Sequence, residues 1–250
     1  MSAESEIQIF QIFYHPSQVD YLDNSFTPYD NTDNTQPDWC EYAIFRNEYF
    51  KGTCNTGLTG FLSWKFKEKT GVSGSQVFEW IRANPGYDVY FINPFMKRLR
   101  RTRSKNIWEH GEKCHPGLIS LAQNLFCEAG FEIDIETLSM NPNKTLFCNF
   151  WIGTPDFWTR YMDFCEPLYQ LIENKLSDQQ KSRFLQQADR TGPCFIPYIF
   201  ERLFSTLLCI NTDIRAQAWH PDKSNNMSTP QWLMREIKRP IRRFLYPNEK

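Results

Sequence analysis

The chain has 250 residues, of which 41% are hydrophobic and 23% charged, with a formal net charge of −1. That length buries roughly three quarters of the unfolded surface in one core, so one large domain is expected rather than two small ones. The longest apolar stretches fall short of a membrane span, and the opening MSAESE lacks the basic start and apolar run of a secretory signal; the expected compartment is the cytoplasm. The eight cysteines, at 40, 54, 114, 127, 148, 165, 194 and 209, form no CxxC pair. In such a setting they are read as reduced thiols that behave as small hydrophobes.

Charge is distributed unevenly. Residues 1–50 hold nine acids and a single base, Arg46, whereas 97–105 hold six bases and no acid, and 235–243 hold five bases and one acid, Glu236. Two basic stretches on a near-neutral chain point to particular anionic partners rather than to general polyanion binding.

In chain order, Ile7–Tyr14 is β-branched and aromatic and predicts a first strand. Residues 15–38 predict a long, functional loop, and 39–70 are read as partly helical. Ser73 with Gln76 makes a capping box for a short helix carrying Val77, Phe78, Trp80 and Ile81. Asp88–Ile92 predicts a strand stopped by Asn93-Pro94, with the basic run expected as a loop. Pro116 suits the first position of a helix whose stripe is Leu118, Leu121, Ala122, Leu125 and Phe126, closed by Gly130. The apolar run Thr145–Ile152 predicts a strand buried on both faces. Thr154-Pro155-Asp156 starts a helix that Pro167 should kink or break. Ile196, Ile199, Phe200, Leu203, Phe204, Leu207 and Leu208 mark the clearest helical stripe.

Strands alternating with helices predict an α/β fold with a mainly parallel central sheet flanked by helices. Its domain spans 1–211, and a basic, aromatic tail at 212–250 packs on it.

The stretch 106–117, NIWEHGEKCHPG, concentrates candidate chemistry. Glu109 and Glu112 are the first choices for a general base and Glu201 the reserve, while His110 and His115 supply hydrogen bonds to an acceptor. A zinc reading of His110, Cys114 and His115 lacks familiar spacing and a fourth ligand, and the plain alternative is a surface loop capping a helix. Asn93, Arg98, Arg100 and Arg101 follow a strand end, where an anionic ligand is expected. Asp88, at the start of that strand, has an ordinary reading as a turn residue. Glu201 and Arg202 either pair on the surface or point Glu201 into a cleft. No GxSxG, Walker loop, GxGxxG or HExxH is present.

Taken together, PDWCEY, GFLSWKFKEKTG, DVYFINPF, WEHGEKCHPGL, LFCNFWIGTPDFW and YIFERLF resemble bacterial glycosyltransferase-like domains of capsule and lipopolysaccharide O-antigen assembly, over roughly residues 7–210. The resemblance implies a single GT-A-like (Rossmann-like) domain. It also implies a nucleotide-sugar donor and a glycan or lipid-linked glycan acceptor. In that family an Asp-x-Asp pair commonly holds Mn or Mg against the donor diphosphate. The matching stretch is Asp88-Val89-Tyr90, which puts Asp88 and Tyr90 on the donor side, with Asp88 as the metal ligand, but lacks the second carboxylate. The arginine-rich run then neutralises the diphosphate instead. The resemblance further places Asn149 near the acceptor sugar and carries Glu201 in the last core helix.

The missing carboxylate keeps a second reading open, a catalytically inactive nucleotide- or sugar-binding module of a larger assembly complex. No nucleic-acid partner is expected. Residues 232–246 mix five bases with aromatic and aliphatic residues, which suits peripheral contact with the inner face of an anionic membrane. The alternative is a segment packed on the domain.

Overall fold

The computed structural model describes residues 6–189 and 192–221. The tail at 232–246, and with it the expected membrane contact, lies outside the described residues.

Among the described residues, six strands form one sheet: β1 (Ile7–Phe13), β2 (Thr27–Asp30), β3 (Leu58–Ser63), β4 (Val89–Ile92), β5 (Trp151–Gly153) and β6 (Ala216–Trp219). Their order is β2-β1-β3-β5-β4-β6. β1 is parallel to β2 and β3, β4 is parallel to β6, and β5 runs antiparallel to both its neighbours. The α/β expectation therefore holds, with the sheet mixed rather than parallel throughout.

Helices cover both faces. α1 (Glu41–Lys51), α5 (Ile107–Cys114), α6 (Leu118–Glu128), α7 (Pro155–Gln170) and α9 (Phe195–Ile210) bury their apolar residues in the larger core, against Ile12, Phe61, Phe91 and Trp151. α2 (Phe66–Thr70) and α3 (Gly74–Ala83) build the smaller core against Ile9, Leu62, Tyr90 and Ile152. Adjacent strand residues such as Phe61 and Leu62 thus face opposite cores, as the period of two demands. The remaining helices are α4 (Lys97–Thr102) and α8 (Asp178–Leu185). Gly60 lets β3 and β5 approach closely, because a Cβ there would lie 2.7 Å from both the Trp151 carbonyl oxygen and Ile152 Cγ1.

Several expected elements change. Residues 39–70, read as partly helical, contain β3, a central strand with every residue buried. The long loop at 15–38 contains β2, which borders the sheet. Only Trp151–Gly153 of the 145–152 region pairs as strand, because Cys148 takes a left-handed φ of 70° that interrupts extended backbone. The basic run 97–105 is helical from Lys97 to Thr102. Stretch 106–117 is mostly helix as well, capped by the Asn106 side chain. Pro167 does not break α7; it lies in the last turn, and the chain continues into a wider π-type turn at Leu171–Lys175. The sheet also extends past the boundary at 211, because β6 pairs with β4 along all four of its residues.

Candidate functional site

In open α/β sheets, ligands bind beyond the carboxyl ends of strands, where successive connections diverge. Here β1 connects to β2 on one side while β3 lies on the other, so that point falls between β1 and β3. Antiparallel β5 delivers its amino end, preceded by Cys148 and Asn149, to the same edge. Tyr14 follows β1, and Trp64, Lys65 and Lys69 follow β3. The first turn of α1 adds Cys40 and Glu41, and the amino half of α9 adds Tyr198, Glu201 and Arg202.

Glu201 is central to this group. Its Oε1 accepts a hydrogen bond from the Cys148 backbone N–H at 2.5 Å. Lys69 Nζ donates to Cys148 Sγ at 3.5 Å and lies 5.5 Å from the Phe150 ring centre. Glu41 is held above the usual carboxylate range. Burial disfavours its charge and Glu201 repels it, outweighing its own backbone N–H and the Lys69 ammonium. Burial pushes the Cys148 thiol up to about 12, with Glu201 adding to the effect. Burial does the same to Cys40, helped by Glu41 and Cys194. Both thiols are poor nucleophiles, since the thiolate is the reactive form. The Tyr14 hydroxyl, raised by burial and by Glu41 and Cys40, is buried without a hydrogen-bond partner among the described residues. Cys40 itself has φ 46° and ψ −129°, a strained conformation for a non-glycine residue.

On the other side of Glu201, Arg202 is only 6% exposed. Its Nε donates to the Ile107 carbonyl at 3.0 Å and its Nη1 to the Tyr198 carbonyl at 2.5 Å. Gly111 makes room for it, since a Cβ there would come within 2.5 Å of Nε. His115 stacks on Tyr198 at 3.7 Å, with its Nδ1 3.4 Å from Asp189 Oδ2. Burial and the Arg202 charge lower its pKa, against the opposing pull of Asp189, the Ala188 backbone and Glu201. His110 packs edge-on against Phe147 at 5.0 Å. Burial pushes it down to about 4, aided by Arg202, Arg98, His115 and Lys113. Both imidazoles are thus neutral near pH 7, and His110 Nδ1 and Asn149 Oδ1 are buried without hydrogen-bond partners among the described residues. Two carboxylates of unlike environment, the cations Lys69 and Arg202, and polar atoms without hydrogen-bond partners among the described residues can accept a proton and bind a polar, anionic ligand.

The lowered His110 pKa predicts a pH effect. An unfolded imidazole titrates near ~6.5, so between there and about 4 the unfolded chain binds more protons than the folded one. This group's contribution is complete above roughly pH 6.5 and is lost as pH falls through the folded value. His110→Phe is expected to flatten that acid loss, read from denaturant midpoints at mildly acidic and neutral pH. An unchanged slope would refute the assignment.

The remaining sequence candidates lie elsewhere or serve the fold. Both oxygens of Glu112 cap α6, accepting from the N–H groups of Gly117 at 2.7 Å and Ile119 at 2.8 Å. Glu109 accepts from the Lys105 N–H at 2.6 Å and pairs with Lys113 at 2.9 Å at the start of α5. Free N–H groups at helix starts attract carboxylates, so Glu112 holds the start of α6, while Glu109 is engaged by Lys105 and Lys113 beside α5. Asp88 lies at the amino end of β4, opposite the candidate site, and its carboxylate holds Arg215 at 2.7 Å. Asp88, which the resemblance would assign to a divalent cation, is paired with Arg215, and among the described residues no group of three or more His, Cys, Asp or Glu is placed to hold a metal. Tyr90 is 1% exposed and donates to the Asn84 carbonyl at 2.6 Å, so it belongs to the core rather than to a donor site. Asn93 is buried as a brace, donating to the Thr145 carbonyl at 2.6 Å and accepting from the Phe95 N–H at 3.0 Å. Arg98 stacks on Phe95 at 3.9 Å; it and Arg101 lie on α4, past β4 at the same edge of the sheet. Of Arg100 only the backbone is described.

Sequence reasoning missed Glu41, Lys69 and Tyr14. Glu41 and Lys69 lie in PDWCEY and GFLSWKFKEKTG, within a segment not resolved into β3 and its flanking helices, and Tyr14 was read only as the end of the first strand.

Comparison with protein-family models, with curated proteins and with solved structures finds no match, so the site is interpreted from its own chemistry. Among the described residues no helix is long and apolar enough to cross a membrane.

Proposed function

We propose that the chain is a glycosyltransferase that moves a sugar from a nucleotide-sugar donor to a glycan or lipid-linked glycan acceptor, in surface polysaccharide assembly. The observation that carries this reading is the group of Glu201, Glu41 and Lys69 at the carboxyl edge of the sheet, where β1 and β3 diverge. The fold expected of such an enzyme, one GT-A-like domain, is compatible with a single α/β sheet carrying its polar residues at that edge.

In this mechanism Glu201 takes the proton of the attacking acceptor hydroxyl. The acceptor oxygen forms a bond to the anomeric carbon as the bond from that carbon to the donor's phosphate oxygen breaks. The bonding pair leaves with the diphosphate, whose growing charge Lys69 offsets. Glu41, whose carboxyl is held above the usual range, gives up its charge more readily than an exposed carboxylate beside an anionic donor. Neutral His110 and His115, with Asn149, offer hydrogen bonds to acceptor hydroxyls.

A second reading, an inactive nucleotide- or sugar-binding module, is favoured by one observation: a Glu201 oxygen is already held by the Cys148 N–H. Thermal shift and donor hydrolysis with a panel of nucleotide sugars separate the two. The transferase stabilises with one donor class and slowly releases its nucleoside diphosphate; the module stabilises without release. No response to any donor would overturn both.

A further inference from the structure

Beside this site, the chain leaving β1 makes a 3-10 turn, Pro16–Tyr21, that exposes an aromatic ring. Tyr21 is 63% exposed, and its ring packs against Trp64 with centres 5.7 Å apart and planes tilted by 58°. The rings are fixed from beneath by Gln11, which is fully buried. Its Nε2 donates to the Trp64 carbonyl at 3.3 Å and to the Ser63 carbonyl at 3.4 Å, while its Oε1 accepts from the Asp23 N–H at 2.6 Å. One buried amide thus ties the turn that carries Tyr21 to the strand end that carries Trp64.

Cations adjoin the rings. Lys65 Nζ rests 4.8 Å from the Trp64 ring centre. Lys65 and Lys69 are one helical turn apart, joined by the hydrogen bond from the Lys69 N–H to the Lys65 carbonyl at 2.8 Å, so they share a face. Lys67, between them, lies off that face and acts on Asp23 instead, and Glu68 is the one acid in the run 65–69. Lys65 therefore adjoins the aromatic pair, and Lys69 acts on Glu41 and donates to Cys148 in the proposed site.

We infer that Tyr21 and Trp64 form the stacking platform for the base of a nucleoside diphosphate whose phosphates are held by Lys65 and Lys69. The ligand class follows from the combination: an open aromatic face takes any planar base, and two ammonium groups one turn apart suit a diphosphate. The Lys65 side chain is flexible, so its ammonium can leave the ring for a phosphate. This rests on the transferase reading only for what the nucleotide is used for; binding itself needs no transfer.

The test is calorimetric titration of the full chain with uridine, cytidine, guanosine and adenosine diphosphates, with inorganic pyrophosphate, and with a neutral oligosaccharide. At least one nucleoside diphosphate is expected to bind tenfold or more tighter than pyrophosphate. Tyr21→Ala and Trp64→Leu are expected to erase that preference, with about a tenfold loss, while Tyr21→Phe keeps it. Lys65→Gln should weaken nucleotide and pyrophosphate alike. The proposal is overturned if no nucleoside diphosphate binds, if pyrophosphate binds equally well, or if the ring variants bind nucleotide as the parent does. It is also overturned if those variants lose only the oligosaccharide, which would make the rings an acceptor platform. Nucleotide binding through the rings without turnover of any donor sugar would instead retain the platform and overturn the transferase.

Discussion

Glu201→Gln is expected to lower turnover at least ~10²-fold, the usual cost of losing a general base, with the fold retained. Glutamine keeps the side-chain oxygen that accepts from the Cys148 N–H, so the backbone at Cys148, with its φ of 70°, keeps its anchor. What the variant loses is the negative charge and the basicity. Its effect on Glu41 gives an independent readout. Burial and the Glu201 charge hold the Glu41 carboxyl above its ordinary range, and removing a like charge lowers a carboxyl pKa. The Glu41 carboxyl, followed by NMR, should therefore titrate at a lower pH in the variant than in the parent. Full activity in the variant, with an unmoved Glu41 titration, would place the base elsewhere. Loss of activity together with loss of the cooperative unfolding transition would assign Glu201 a structural role instead.

Trp108→Ala is expected to be the most destabilising of the changes considered, by about 3–5 kcal/mol. Trp108 is fully buried on α5, packs edge-on against Phe126 at 6.1 Å, and donates from Nε1 to Thr206 Oγ1 at 3.0 Å. The substitution leaves a cavity where α5, α6 and α9 meet. Thr206 remains satisfied through its own bond to the Arg202 carbonyl, so the loss comes chiefly from packing. Against a typical total of about 5–15 kcal/mol, much of the stability would go. Denaturant titration should show a lower midpoint at an unchanged slope. A loss below about 1 kcal/mol, the ordinary range for surface substitutions, would mean that 106–117 is the surface loop that its polarity suggested.

That contrast explains why some of the fold was legible and some was not. The capping box at Ser73 and Gln76, the helix start at Thr154-Pro155 and the stripe of α9 are local signals, and each opens or fills the element it marked. β4 was legible because its four apolar residues feed two cores at once. β3 hid because Gly60 and polar Thr59 and Ser63 break an apolar pattern, although the sheet buries all three. Stretch 106–117 misled for the opposite reason. Its acids are the helix formers' caps, and its Trp108, His110 and Gly111 turn inward only once α9 is beside them.

The site divides in the same way. Composition and pattern by themselves determined an α/β chain without a long apolar span, and a carboxylate on the last strong helix. Those properties depend on residue type and short spacing, which the sequence states directly. Which carboxylate meets which cation was decided by tertiary structure alone. Glu41 and Glu201 are 160 positions apart in the chain, and only the sheet's order and the packing of α1 against α9 bring them to one edge. Burial then sets their protonation, because desolvation depends on what surrounds a group and not on its neighbours in sequence. Glu109 and Glu112 show the converse. The same residue type, in the most polar stretch of the chain, was taken up by backbone N–H groups at the start of α6 and just before α5, which are brought to it only in the folded backbone.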